Sequence, residues 1–229
     1  MLSAIAIVPS APVMVPELAG AAAAETADLR EAAVTAAAAL PPRWLAVGVS
    51  ETDGASGPAS LGTFAGYGVD LRVGLSDAAL HGDPVRLPLC ALITAWLRGI
   101  AQPQATAEVR SVRRDHAPDT AVSLGRSLRR EADALDDPVG VLVVADGAHT
   151  LTPPAPGGYD PDSVPVQTAL DDALATGDGA ALTRLPDGIV GRVAYQLLAG
   201  LTEPAPRSAK ELYRGAPYGV GYFVGVWTP

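Results

Sequence analysis

The stretch Val141-Leu-Val-Val-Ala-Asp-Gly-Ala-His149 decides how this chain is expected to fold. It begins as an apolar, valine-rich run and then changes abruptly to a carboxylate, a glycine and an imidazole. A short apolar run of this kind predicts a buried strand. In open α/β sheets, sites lie just beyond the carboxyl ends of the strands. The stretch therefore predicts a strand with Asp146 and His149 at its functional end, and the alternative is an ordinary Asp-Gly turn.

Other apolar or alternating segments predict the remaining strands, and periodic or alanine-rich segments between them predict helices. Strands are predicted over 2–8, 44–50, 69–75, 107–112, 139–145 and 220–227. Helices are predicted over 16–40, 87–97, 118–135, 163–175, 180–185 and 189–201, with a loop over 205–209. Such interleaving is typical of an α/β protein with one core. We therefore expect one domain over 1–229, with a central mixed β-sheet flanked by helices.

Composition excludes several classes of partner. The chain has 229 residues and a formal net charge of -9, and an acidic chain repels the phosphate backbone of nucleic acid. No basic amphipathic stretch suggests a membrane surface, and no apolar run is long enough to span a bilayer. The N-terminus lacks the positive flank of a signal peptide, so we expect a cytoplasmic protein. The single cysteine, Cys90, cannot form an intrachain disulfide, and its apolar neighbours predict a buried structural thiol.

Only one of the three histidines follows a strongly predicted strand. His81 and His116 fall in segments between elements, where solvated or structural roles are expected. His149 follows the valine-rich run, and Asp146 beside it could orient the imidazole or shift its pKa. The sequence contains no Gly-x-Ser-x-Gly elbow, no P-loop and no dinucleotide-binding glycine motif, so nucleotide binding is not indicated.

Four stretches together resemble a known family. Val143-Val-Ala-Asp-Gly-Ala-His149, followed by Gly157-Gly-Tyr-Asp-Pro161, resembles the Ser-Gly-Asp-x-Ser-His motif of class III extradiol ring-cleavage dioxygenases of the LigB type. The broader superfamily includes Memo-like proteins. Ile7–Glu17 is similar to that family's opening Pro-His-x-Pro segment, and Gly62–Gly68 to its Gly-x-Phe-x-x-Phe-Gly stretch. Tyr213–Tyr222 is similar to its Tyr-x-x-Pro-Tyr-Gly-Val-Gly-Tyr segment.

The resemblance implies a LigB-like fold and a set of site residues. His149, with Asp146, falls on the family's acid–base position. Ser10, Glu51, Tyr159 and Tyr218 are assigned to the binding pocket. The matches run in the family's order along nearly the whole chain.

The resemblance does not extend to the iron ligands. The family holds Fe(II) with two histidines and a glutamate. Ser10 stands at the first histidine position, Glu51 stands near the second, and Ile189 or Val190 stands where the glutamate is expected. We therefore predict no metal ligands and no cofactor. An alternative site built from Glu51, Asp53, His81 or His116 would be rich in oxygen and suit a harder ion, but it lacks a ligand spacing.

Three functions stay open from the sequence. The first, which we favour, is a LigB-like protein without iron that binds a small molecule at the pocket around His149. The second is a metal-dependent oxidoreductase with rearranged ligands that acts on a catechol-like ring. The third is a protein-interaction module that is not an enzyme. The sequence sets neither the ligand nor the oligomeric state, and a homo-oligomer stays open.

Overall fold

The central strand of the protein is the one that the valine-rich run predicts. The computed structural model describes residues 1–229. Its strands are β1 (Leu2–Val8), β2 (Arg43–Ser50), β3 (Gly54–Ser56), β4 (Leu61–Thr63), β5 (Arg72–Gly74), β6 (Thr106–Arg113), β7 (Val139–Val144), β8 (Ser208–Gly215) and β9 (Tyr222–Thr228). Its α-helices are α1 (Pro16–Ala19), α2 (Ala27–Ala38), α3 (Leu89–Ala101), α4 (Pro118–Asp133), α5 (Ser163–Thr176), α6 (Gly179–Leu182) and α7 (Arg192–Leu201). Short 3-10 segments cover Pro12–Met14, Gly20–Ala24, Phe64–Tyr67, Ala78–His81 and Pro217–Gly219.

Seven of the strands form one mixed sheet in the order β3-β6-β2-β7-β1-β9-β8. The four strands β6, β2, β7 and β1 are parallel to one another. β9 pairs antiparallel with β1 and with β8, and β3 pairs antiparallel with β6. β4 and β5 form a separate antiparallel pair. This arrangement confirms the predicted α/β fold with a central mixed sheet flanked by helices.

Both faces of the sheet are buried, which explains why its central strands are apolar without interruption. On one face, Val8 and Val144 pack with side chains of α2 and α3. On the other face, Ile7 and Val143 pack with side chains of α4, α5 and α7. Because successive side chains of a strand point to opposite faces, each central strand contributes to both layers of the core.

β7 lies between β1 and β2, and its register sets the ends of the three strands side by side. Val144 pairs with Val8 of β1, and it also pairs with Gly48 of β2. The chain leaves β1 and β2 towards the face of α2 and α3, but it leaves β7 towards the face of α5. Neighbouring strands whose connections run to opposite faces leave a crevice beyond their carboxyl ends. The topology therefore brings the segments after β1, β2 and β7 to one crevice.

The alanine-rich segment that was predicted as one helix over 16–40 is divided. α1 ends at Ala19, because Gly20 adopts a φ of 55°, and a 3-10 segment precedes α2. The hydroxyl of Thr26 donates to the carbonyl of Val13 at 3.1 Å and ties the start of α2 to the loop after β1. The high helix propensity of alanine does not fix where such a segment is interrupted, so the prediction was wrong over 20–26.

Three strands, β3, β4 and β8, were not predicted, and one predicted strand lies outside the central sheet. β8 is an edge strand whose Arg214 pairs with Glu211 and Asp172, so it presents no apolar run. It begins at Ser208, inside the predicted loop. β3 has only three residues, which is too short for a periodic pattern. The segment 69–75 contributes β5, which pairs with β4.

The helices α3, α4 and α5 agree with the predictions within a few residues at each end. Cys90 is buried in α3, where burial raises the pKa of its thiol to about 12. A thiol with so high a pKa is a poor nucleophile at neutral pH, which agrees with a structural role. No helix combines the length and the apolar character that crossing a bilayer requires.

Candidate functional site

A cavity of about 1360 Å³ opens beyond the carboxyl ends of β1, β2 and β7, and we call it the strand-end cavity. Ser10 follows β1, Glu51 follows β2 and Asp146 follows β7, and all three residues line it. The rest of the lining is Val49, Ser50, Thr52, Gly54, Ala55, Ser56, Thr63, Gly66, Tyr67, Pro84–Leu89, Leu92, Ser111, Arg114 and Val190. The structure thus brings together three of the residues that the sequence assigned to a site.

Asp146 places a half-buried carboxyl in the lining of the strand-end cavity. Its Oδ1 accepts a hydrogen bond of 2.8 Å from the backbone N–H of Ser10. Burial raises the pKa of Asp146 from its ordinary 3.8 to about 7, and the Ser10 hydrogen bond offsets this only in part. Both forms of the carboxyl are therefore populated near neutral pH, which is what a general acid or base requires.

Two buried tyrosines lie near Asp146, and neither offsets the charge of its carboxylate. The hydroxyl of Tyr195 donates to the carbonyl of Ala145 at 2.9 Å. Burial raises the pKa of both Tyr195 and Tyr222, and the charge of Asp146 raises the pKa of each further. Both phenols therefore stay protonated at neutral pH. No cation faces Asp146 to lower its pKa, so the effect of burial persists.

The backbone of segment 146–148, which carries the Asp146 side chain, is hydrogen-bonded on both sides. On one side, the N–H groups of Val190 and Gly191 donate to its carbonyls at 3.1 and 2.8 Å. On the other side, Gly221 donates one hydrogen bond and accepts another, each of 2.8 Å. A Cβ atom at Gly191 would lie 2.6 Å from that of Ala145, so only glycine permits this approach. These contacts therefore hold in place the backbone from which the Asp146 side chain extends.

A buried amide completes this support. The Oε1 of Gln167 accepts from the backbone N–H of Ala148 at 2.8 Å, and its Nε2 donates to Asp171 Oδ1 at 2.8 Å. A Cβ atom at Gly147 or Gly221 would overlap the Gln167 amide. Burial raises the pKa of Asp171 to about 6, so this carboxyl is mostly ionised and an acceptor above that pH. Gln167 therefore links α5 to the strand end.

The loops after β2 and β6 are joined by one ion pair and one hydrogen-bonded carboxylate–histidine pair at the edge of the cavity. Glu51 pairs with Arg114, so the charge of Glu51 is already compensated. Asp53 accepts from His116 Nε2 at 2.8 Å and from the backbone N–H of Arg113 at 2.8 Å. These hydrogen bonds, the one from Arg113 foremost, lower the pKa of Asp53.

His149 does not line the strand-end cavity, and it forms no hydrogen bond with Asp146. Its Nδ1 is buried without a hydrogen-bond partner. Its ring lies against Gly157, where an added Cβ would be 2.6 Å from His149 Cδ2. The structure therefore does not bring the predicted pair together, since only Asp146 lines the strand-end cavity and its hydrogen bond comes from Ser10.

Tyr159 and Tyr218 also lie apart from the cavity lining. Tyr159 is exposed in the loop between β7 and α5. Tyr218 has a left-handed φ of 59°, and its hydroxyl donates to Glu25 Oε2 at 2.6 Å. The local motifs placed these residues near the strand ends in sequence, but the paths of their loops direct them elsewhere.

Sequence reasoning missed Arg86, Arg114 and Gln167. Arg86 lines the cavity without an ion pair, and it lies in a segment with no regular pattern. Arg114 belongs to a basic run that carries no motif of its own. Gln167 is a single polar residue within a helix. Only its pairing with the glycines of the strand end reveals its role.

The donors that iron would require do not assemble here. No group of three or more His, Cys, Asp or Glu side chains is placed to hold a metal ion. Glu51 is paired with Arg114, and Asp53 is paired with His116. Val190, at the position where the family's glutamate is expected, presents an aliphatic side chain to the cavity. The residues present therefore do not fit an Fe(II) triad.

Comparisons with known proteins bear on the fold. No protein-family model matches the sequence, and no curated protein matches it. Among solved structures, an uncharacterized protein from Escherichia coli K12 is similar, with a TM-score of 0.59 and 9% sequence identity. The alignment covers 99% of this chain and 100% of that one. At this identity the likeness shows that the two chains share an α/β fold.

Proposed function

We propose that this chain is a divergent, metal-free relative of the LigB-type ring-cleavage enzymes that binds a small organic acid in the strand-end cavity. Asp146, rather than His149, is the group that exchanges a proton with the bound molecule. The observation that carries the proposal is the Asp146 carboxyl, which is half-buried, lines the cavity and has a pKa near neutral. Perturbed carboxyls of this kind concentrate at functional sites.

The lining of the cavity supports an acid with an apolar body. Val85, Leu87 and Leu92 supply apolar surface. Arg86 is the cation of the lining that has no ion pair, since Arg114 is paired with Glu51. A ligand carboxylate could pair with Arg86 while an apolar body covers the aliphatic wall, as in ligand sites with a few polar groups in an apolar surface. Carboxylates and guanidinium groups pair with favourable geometry.

Benzoate is a suitable probe, and its binding can be followed by the rise in melting temperature that a ligand of the folded state causes. We expect saturable stabilisation of the wild type. Arg86→Gln should weaken benzoate binding by roughly tenfold, as expected for loss of a charge-assisted hydrogen bond. Arg207→Gln is the matched control, because Arg207 is exposed and its side chain forms no ion pair. Equal affinity in the two variants would contradict the role of Arg86.

The pH dependence of benzoate binding tests Asp146. An ionised Asp146 repels an anionic ligand, so affinity should fall as pH rises through about 7, the pKa of Asp146. In Asp146→Asn the affinity should no longer change across this range. The same pH dependence in the variant would show that another group controls binding.

The metal-dependent alternative has its own measurement. Metal analysis after purification with added Fe(II) should find far less than one iron per chain, because the donor set does not assemble. Stoichiometric iron that is lost in Glu51→Gln would overturn the metal-free part of the proposal.

A further inference from the structure

A second cavity lies on the other side of the sheet edge, between α4 and the β6–β2 surface, and we call it the α4 groove. Its volume is about 370 Å³, which falls within the range of small-molecule sites. Its apolar lining comes from Val47 and Val112 of the sheet, from Leu124 and Leu128 of α4, and from Leu197 of α7. Leu124 remains 36% exposed, so no other side chain of the protein fills this part of the groove.

Beside the groove, α4 packs closely on α7. An added Cβ at Gly125 would overlap the backbone of Leu197, and one at Gly200 would overlap the backbone of Val122. Residues such as Leu124 and Leu128 are spaced so that they lie on one face of the helix. That face lines the groove, whereas the glycine face meets α7. The contact between α4 and α7 therefore leaves Leu124 and Leu128 in the lining of the groove, next to Leu197 of α7.

Charged groups of the groove are already paired. Arg110 pairs with Glu131 at 2.8 Å and with Glu108 at 2.6 Å. Asp53 accepts from His116 Nε2 at 2.8 Å. A ligand with a net charge would find no free counter-ion here, and burying an unpaired charge is costly. The groove therefore suits a neutral compound.

His116 supplies a polar group that is held in place. The Asp53 carboxyl, whose pKa is lowered, is an acceptor, so His116 Nε2 carries the proton of their hydrogen bond. When the imidazole is neutral, its Nδ1 is then an acceptor. This atom forms no hydrogen bond, and it is not among the buried atoms that lack a partner, so it is accessible. A carboxylate that orients a histidine in this way pre-organises the other nitrogen for an incoming donor.

We propose that the α4 groove is a second small-molecule site, which binds a neutral alcohol through apolar contacts with Leu124 and Leu128 and a hydroxyl hydrogen bond to His116 Nδ1. This inference goes beyond the function proposed for the strand-end cavity. The two linings share only Gly54 and Ser111, and Asp146 belongs to the strand-end cavity alone.

4-Fluorobenzyl alcohol is the probe, and its fluorine NMR signal reports binding directly. The wild type should bind it saturably, and so should Asp146→Asn. Leu124→Trp fills the groove and should weaken binding at least tenfold. Leu80→Trp is the matched control, because Leu80 is also exposed and lines neither cavity. His116→Phe keeps a ring of similar size but removes the acceptor, and it should weaken binding at least fivefold.

Several results would overturn this inference. The first is the absence of saturable binding at alcohol concentrations of about 10 mM. This result would mean that the binding free energy is weaker than about 3 kcal/mol. The second is equal affinity in Leu124→Trp and Leu80→Trp. The third is loss of binding in Asp146→Asn, which would place the alcohol in the strand-end cavity. Unchanged affinity in His116→Phe, with an unchanged melting temperature, would overturn the assignment of the hydroxyl to Nδ1.

Discussion

The backbone N–H of Ser10 donates a 2.8 Å hydrogen bond to the carboxyl of Asp146, although the two residues are 136 positions apart. This contact joins the loop after β1 to the end of β7. The donor is the backbone of Ser10, so the serine side chain is not what holds Asp146. The hydrogen bond holds together two segments that both line the strand-end cavity.

Asp146 should make the stability of the protein depend on pH. Its pKa is about 7 in the folded chain and 3.8 ordinarily, so between these values the folded state retains a proton that the unfolded state has lost. Stability should therefore fall as pH rises through this window, by roughly 2 to 4 kcal/mol from this group. Asp146→Asn should abolish this part of the fall, and chemical denaturation from pH 4 to 8 measures it.

The control for this measurement is Asp83→Asn, because Asp83 is exposed. It should follow the wild-type pH profile. A profile of Asp146→Asn that is parallel to the wild type would show that the carboxyl is not destabilised by burial.

The Gln167–Asp171 contact should tolerate an exchange of the amide and the carboxylate between the two positions, but it should not tolerate a carboxylate at both. Gln167→Glu would place two carboxylates at a separation that is now 2.8 Å, and at pH 8 it should cost about 2 to 3 kcal/mol of stability. The double variant Gln167→Glu with Asp171→Asn restores one donor and one acceptor, and it should recover most of this loss. Urea denaturation of the wild type, the two single variants and the double variant measures the coupling. Simple addition of the single effects would argue against the hydrogen bond.

Replacement of His149 should leave the strand-end cavity unchanged. Its Nδ1 is buried without a partner, and the residue is absent from the cavity lining. His149→Leu removes this unpaired polar atom, so we expect equal or slightly higher stability and benzoate affinity within about twofold of the wild type. A tenfold loss of affinity without a change in stability would place His149 in the site and return the acid–base role to it.

Gly125 should not tolerate alanine, although a glycine within a helix usually does. Because an added Cβ at Gly125 would overlap the backbone of Leu197, Gly125→Ala should cost roughly 2 kcal/mol or more. Gly99 of α3 is exposed and an added Cβ there meets nothing within 4 Å, so Gly99→Ala should stabilise by about 0.5 to 1 kcal/mol. Thermal melts of the two variants distinguish the cases. Stabilisation by both would mean that α4 and α7 are not in close contact.

The layers of this fold could be predicted from local patterns in the sequence. Apolar runs predicted β1, β2 and β7 because a strand buried on both faces needs no polar positions. The edge strand β8 escaped prediction because its exposed positions are polar or charged. Both results have the same cause. The apolar pattern of a strand reflects its burial, so a buried strand is easy to predict and an exposed edge strand is not.

The grouping of residues into a site depends on how distant segments meet in the folded chain. Ser10, Glu51 and Asp146 follow three different strands, and strand order brings them together. His149 lies only three positions after Asp146, yet the course of its loop takes it out of the cavity. Local sequence does not show where distant segments meet. The two groups that support Asp146, which are the Ser10 N–H and the Gln167 amide, could therefore be identified only in the folded chain. The sequence therefore determined that a strand ends in a carboxylate, and the fold determined its partners and its pKa.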